Sequence, residues 1–126
     1  MLRELLVIAA VMLFMDAIWL TANNATHRAL FAAIQGQPMA VRYGAAAVVY
    51  ALMIAATWYL AVEPSANWQE AAGRGAVLGA AMYGVYDMTN HATFVKYPLS
   101  FALTDMAWGT FLCATVAAVA TATADA

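Results

Sequence analysis

Long apolar runs broken by short polar clusters divide the chain into four segments, at about 4–22, 42–62, 71–91 and 99–121. Each approaches the roughly 20 residues an α-helix needs to cross a hydrocarbon core about 30 Å thick. Two of the intervening clusters are short. In Glu63-Pro64-Ser65-Ala66-Asn67, Ser65 or Asn67 is placed to cap the next helix, and Trp68 suits an interface. Val95-Lys96-Tyr97-Pro98 is shorter still. The first connection, from Asn23 to Val41, is longer. There Leu30, Phe31 and Ile34 recur at helical spacing beside His27 and Arg28, predicting a short interfacial helix that Gln35-Gly36-Gln37-Pro38 ends. Short connections make consecutive helices antiparallel neighbours. The expected fold is therefore all-α, an up-down bundle of four transmembrane helices forming a single domain over residues 1–126.

Composition sharpens this picture. A chain that is 66% hydrophobic and 10% charged is too apolar for an ordinary soluble domain of this length. The lipid bilayer is the expected partner, and a bacterial inner (cytoplasmic) membrane the expected location. A net charge of −2 offers no basic face, which argues against nucleic acid. The N-terminal run resembles a signal peptide poorly: Leu5–Leu20 is long for a signal core, contains Asp16 and leads into Thr21-Ala22-Asn23-Asn24 without a small-x-small site. It reads as a retained helix. The single cysteine, Cys113, permits neither an intrachain disulfide nor a cysteine-based metal site. Basic residues lean towards the first and third connections (Arg28, Arg42, Lys96), which places those loops on the cytoplasmic side. Gly75 and Gly79 form a GxxxG step, suited to close packing within the bundle or to a homo-oligomeric contact.

Candidate chemistry enters with three of the seven carboxylates. Asp16, Asp87 and Asp105 lie inside the apolar segments, while Lys and Arg are confined to segment ends and connections. A charged side chain near the centre of a membrane helix costs at least about 2.5–3.5 kcal/mol on insertion scales, so an acid there faces a cavity, a partner or a transported species. Asp16 lies near the end of the first segment, Asp87 near the end of the third and Asp105 near the start of the fourth. With a rise of about 1.5 Å per residue, antiparallel alternation puts all three roughly 6–9 Å from the same membrane face.

Each acid has company at helical spacing. Asp16 and Trp19 are i,i+3, as are Asp105 and Trp108. Tyr86 faces Asn90 at i,i+4, and Asp87 reaches Asn90 and His91. Thr89 and Thr104 add hydroxyls. Carboxyls beside an imidazole, an amide and a phenol are suited to hold a proton, a small cation or a cationic head group. The expected function is binding or translocation of a proton, cation or small cationic solute in a pocket of Asp16, Asp87 and Asp105, supported by Tyr86, Thr89, Asn90, Trp19 and Trp108.

Structural alternatives stand beside this. A protonated intramembrane aspartate can act only as interhelical glue, and the indoles can be interface anchors. His91, four residues after Asp87, is a candidate metal partner but also an ordinary interfacial histidine, and no metal site is assigned. Two other classes remain open: a membrane-embedded enzyme or accessory protein of lipid modification, with an aspartate as acid or base, and a non-catalytic subunit whose polar layer docks a membrane-protein partner. No phosphate loop, serine nucleophile arrangement or dinucleotide fingerprint occurs, and no cofactor is implied.

The stretches Met15-Asp16-Ala17-Ile18-Trp19-Leu20, Tyr86-Asp87-Met88-Thr89-Asn90-His91-Ala92-Thr93 and Thr104-Asp105-Met106-Ala107-Trp108-Gly109 resemble the signatures of the DUF2177 family of small predicted membrane proteins. The resemblance covers nearly the whole chain. Its most specific parts are the Tyr-Asp-x-Thr-Asn-x-Ala-Thr and Asp-x-x-Trp-Gly motifs. It implies about four membrane helices and a shared polar site, and supplies no activity, substrate or cofactor.

Overall fold

A computed structural model of the protein describes residues 1–124, which form five helices and no strand among the described residues. α1 spans Leu2–Ala22, α2 Asn24–Gln35, α3 Tyr43–Thr57, α4 Trp68–Thr93 and α5 Leu99–Ala124. α3 runs without a break into a π-helical turn, Trp58–Val62. The helices begin and end within a few residues of the apolar segments, and the helix expected in the first connection is α2. Three helical units are long and apolar enough to cross a membrane: α1, Tyr43–Val62 and α5. α4 is as long as α5, but its glycines and its polar residues at both ends dilute its apolarity, so length and composition support three of the four expected spans.

Local signals explain the boundaries. Asn67 caps α4 by accepting the Glu70 N–H at 2.9 Å, while the Glu70 carboxylate accepts the Ala66 N–H at 3.0 Å. The same contact, followed by Arg74, holds the Glu70 carboxyl below the usual carboxylate range. Gly36 ends α2 in the left-handed region at φ 74°, where a side chain is disfavoured.

Packing follows a stripe at four-residue spacing on α1 and α4. On α1 the buried positions are Ile8, Met12 and Asp16; on α4 they are Ala71, Gly75, Gly79 and Asp87. The acids thus continue the inward stripes, whereas Leu6, Phe14, Ile18, Val77 and Val85 face outward. α4 and α5 are antiparallel and in contact along most of their lengths. Gly75 lies against the Cys113 carbonyl and Gly79 against the Gly109 carbonyl, so closely that neither position has room for a Cβ. The GxxxG step is consequently consumed inside the chain, and it is not a free surface for a second copy. Gly109 in turn makes room for the Tyr83 ring.

α1 and α3 are tied at two levels. Near the start of α1, the Trp58 indole N–H donates to the Glu4 carboxylate at 2.9 Å, and near its end Tyr50 reaches Asp16. α3 meets α4 chiefly through the π-helical turn. Its N-terminal part therefore stands away from α4, and the space between them is the cavity described next.

Candidate functional site

The cavity measures about 600 Å³ and draws its walls from all five helices. Asp16 and Asp105 line it, together with Trp19, Tyr50, Tyr83 and Tyr86; Met39, Met53, Met82, Val41, Val49 and Phe101 supply much of the apolar wall. α2 contributes Asn24, His27, Arg28 and Phe31 at its rim. α2 is held there by His27, whose Nδ1 donates to the Asn23 carbonyl at 2.9 Å and whose ring meets Phe101 edge-on at 5.2 Å. Lys96 Nζ, from the α4–α5 connection, donates to the Ala33 carbonyl at 3.2 Å and secures the far end of the helix. A second, smaller cavity of about 290 Å³ is more polar, with Asn23, Thr26, Ser100 and Thr104 in its walls. Trp19, His27, Phe101 and Asp105 belong to both.

The three aspartates are all buried, yet their surroundings differ. Asp16, on α1, accepts the Tyr50 hydroxyl of α3 through Oδ2 and the Trp108 indole N–H of α5 through Oδ1 at 3.3 Å. It is a knot between three helices. Asp87, on α4, has no exposed surface; its Oδ1 accepts the Tyr97 hydroxyl at 2.6 Å, and its Oδ2 has no hydrogen-bond partner among the described residues. Asp105, on α5, neighbours the Asp87 carboxyl and the Trp19 indole. It is 8% exposed and engaged in no hydrogen bond among the described residues, and the Trp19 N–H is likewise buried without a partner. Buried polar groups are ordinarily satisfied, so an indole donor and carboxyl oxygens left without partners among the described residues, gathered in one place, are an exception to the rest of the interior.

The indoles of Trp19 and Trp108 stack with centroids 4.7 Å apart and planes 5° from parallel, which closes the α1–α5 seam beside both acids. Tyr86 lies on the cavity wall, and Asn90 sits beside both the Tyr86 and the Tyr97 phenols. Thr89 is exposed, lines neither cavity and accepts the Thr93 hydroxyl through its backbone carbonyl, so it stays apart from the other candidates. His91 turns to the chain itself: a carbonyl can only accept, so His91 Nδ1–H donates to the Tyr97 carbonyl at 2.7 Å and fixes the α4–α5 connection. No group of three or more His, Cys, Asp or Glu side chains with metal-ligand spacing occurs among the described residues.

Two phenols that the sequence reading did not single out are central. Tyr50 is the acceptor-facing hydroxyl of an Ala- and Val-rich helix, and its isolation at mid-segment was the available signal. Tyr97 had none, because its approach to Asp87 depends on how the connection folds back. Burial first, and the accepting Asp87 carboxylate second, push the Tyr97 phenol above its ordinary range. With the folded value above the unfolded one, the stabilisation is fully present below the ordinary phenol range and is lost only as pH rises beyond it. Tyr97→Phe leaves neither Asp87 oxygen partnered among the described residues. The expected cost is about 1–3 kcal/mol, read as a lower thermal midpoint in detergent; an unchanged midpoint would show that the bond contributes nothing.

An all-helical chain whose long apolar helices enclose a carboxyl-lined cavity is the class this arrangement defines. The chain belongs to the DUF2177 family, described as predicted membrane proteins, and the family model matches residues 1–122. No curated protein and no solved structure matches it.

Proposed function

We propose that the protein is a four-span protein of the bacterial inner membrane that binds, and passes between its two cavities, a proton or a cationic group, with Asp105 as the exchanging carboxyl. The observation that carries this reading is the position of Asp105: buried, without a hydrogen-bond partner among the described residues, and in the wall of both the apolar and the polar cavity. A group so placed can take its charge partner from one side and release it to the other. Asp87 supports it as a neighbouring carboxyl, since two carboxyls in contact hold one proton or cation between them more readily than two bare charges. Tyr97 holds Asp87, Asn90 lies beside the Tyr97 phenol, and Tyr86 lies on the wall of the apolar cavity. The fourth span is α4, whose tight seam with α5 and inward glycines fit helix packing in lipid.

Proteoliposomes under an imposed pH gradient test this reading. Wild-type protein is expected to dissipate the gradient, or to accumulate methylammonium against it, faster than empty vesicles. Asp105→Asn, which keeps size and polarity, is expected to return the rate to background with helix content unchanged. Equal rates for variant and wild type, or for wild type and empty vesicles, would remove Asp105 from any transport role.

A further inference from the structure

The walls of the larger cavity are a poor match for a small hydrated ion. Apart from its two carboxyls, three phenols and the α2 rim, they are thioether, aliphatic and aromatic. A space of about 600 Å³ with such walls falls within the range of sites for whole organic molecules, and apolar cavity surface is not well served by water. At one point of that surface stands the Asp105 carboxyl, 8% exposed and without a hydrogen-bond partner among the described residues; it is shared with the polar cavity lined by Thr26, Ser100 and Thr104. The chemistry is thus sorted along one direction: apolar hall, buried acid, polar vestibule.

We infer that the occupant of the larger cavity is an amphipathic amine, an ammonium group carried on an apolar body. The inference rests on the reading of Asp105 as a cation-binding carboxyl and adds the class of molecule that bears the cation. The ammonium lies at Asp105. Tyr83, Tyr86 and Trp19 line the same cavity, and aromatic rings attract a desolvated cation where it meets their faces. The apolar body lies against Met53, Met82 and Val49, where flexible thioethers accept bodies of different shape. Entry is between α3 and α4, which meet chiefly at the π-helical turn and leave the N-terminal part of α3 apart. Arg28, the fixed cation of the lining, is exposed on the rim and engaged by the Asn24 side chain at 3.1 Å, so its charge stays in the outer part of the site.

Full-length protein in maltoside detergent is titrated with decylammonium, with decanol and methylammonium as controls, following tryptophan fluorescence and the thermal midpoint. Decylammonium is expected to bind more than about tenfold tighter than either control, because only it offers both the charge and the buried methylenes. Asp105→Asn is expected to weaken decylammonium about tenfold or more and to leave decanol unchanged. Val49→Trp, at a half-exposed wall position where folding tolerates bulk, is expected to weaken decylammonium by filling the hall. Methylammonium binding as tightly as decylammonium, and lost in Asp105→Asn, would overturn the amphipathic class while leaving the cation site standing. Decanol binding as tightly as decylammonium would show an apolar groove without charge recognition and would also overturn the inference. If neither amine binds, the amphipathic-amine inference is overturned, while proton passage through Asp105 is decided separately by the proteoliposome assay.

Discussion

Gly79→Val is expected to yield protein that unfolds many degrees below wild type or is not recovered as a single species. The Cβ at position 79 would coincide with the Gly109 backbone carbonyl, and no side-chain rotation relieves a clash with backbone. The two helices must therefore move apart along the longest interface in the molecule. Overpacking of this kind costs about 1–3 kcal/mol, and more where the neighbour cannot give. The damage also reaches the site, because α4 carries Asp87 and Tyr83 while α5 carries Asp105 and Trp108. Gly73→Ala on the same helix is the matched control. A Cβ there meets no atom within 4 Å, so the gain in helix propensity, about 0.5–1 kcal/mol, leaves the midpoint unchanged or raises it. Thermal unfolding of both variants in one detergent decides the matter. A Gly79→Val midpoint equal to wild type would mean that the α4–α5 seam is not as close as described.

The same seam marks how far the amino-acid sequence could be read. The helices and their ends were legible because their signals are local: apolar runs, Asn67 before α4, Gly36 after α2. That Asp16 and Asp105 would fall on one level of the bundle was legible too, since rise per residue and antiparallel alternation set it, and both line one cavity. Which way each helix faces was harder. In α1 large apolar residues occur all round, so only the structure separates the inward Ile8–Met12–Asp16 stripe from the outward Leu6, Phe14 and Ile18. The standing-off of α3, and with it the cavity, depends on where the π-helical turn Trp58–Val62 meets its neighbours. Tyr50 and Tyr97 reach their acids across 34 and 10 residues of chain, separations that no helical period encodes. Asp87 and His91 share a face at i,i+4, as the spacing suggested, but each is engaged by a different atom of Tyr97: Asp87 by its hydroxyl, His91 by its carbonyl. The same tyrosine thus takes up the two groups that had looked like a candidate ligand pair.

Asp16 and Asp105, a similar distance from the nearer ends of their helices and on the same cavity, are expected to fail in opposite ways. Asp16→Leu removes the acceptor of two donors from different helices, the Tyr50 hydroxyl and the Trp108 indole. Each orphaned donor costs about 1–3 kcal/mol in a buried setting, less where lipid-facing alternatives exist. The tie between α3 and α1 at the level of the cavity is lost, leaving the Trp58–Glu4 bond at the other end. A lowered thermal midpoint is expected, and Tyr50→Phe should produce part of the same loss, with the two changes less than additive in the double variant because they break one bond. Asp105→Leu breaks no hydrogen bond between described residues. It relieves a buried carboxyl beside Asp87, so its midpoint is expected to match or exceed wild type while proton or amine coupling disappears. The comparison separates glue from site within one protein. If Asp105→Leu destabilised as much as Asp16→Leu, and coupling fell only in proportion to folded protein, Asp105 would be a packing residue and the apolar hall would have no charged floor to serve.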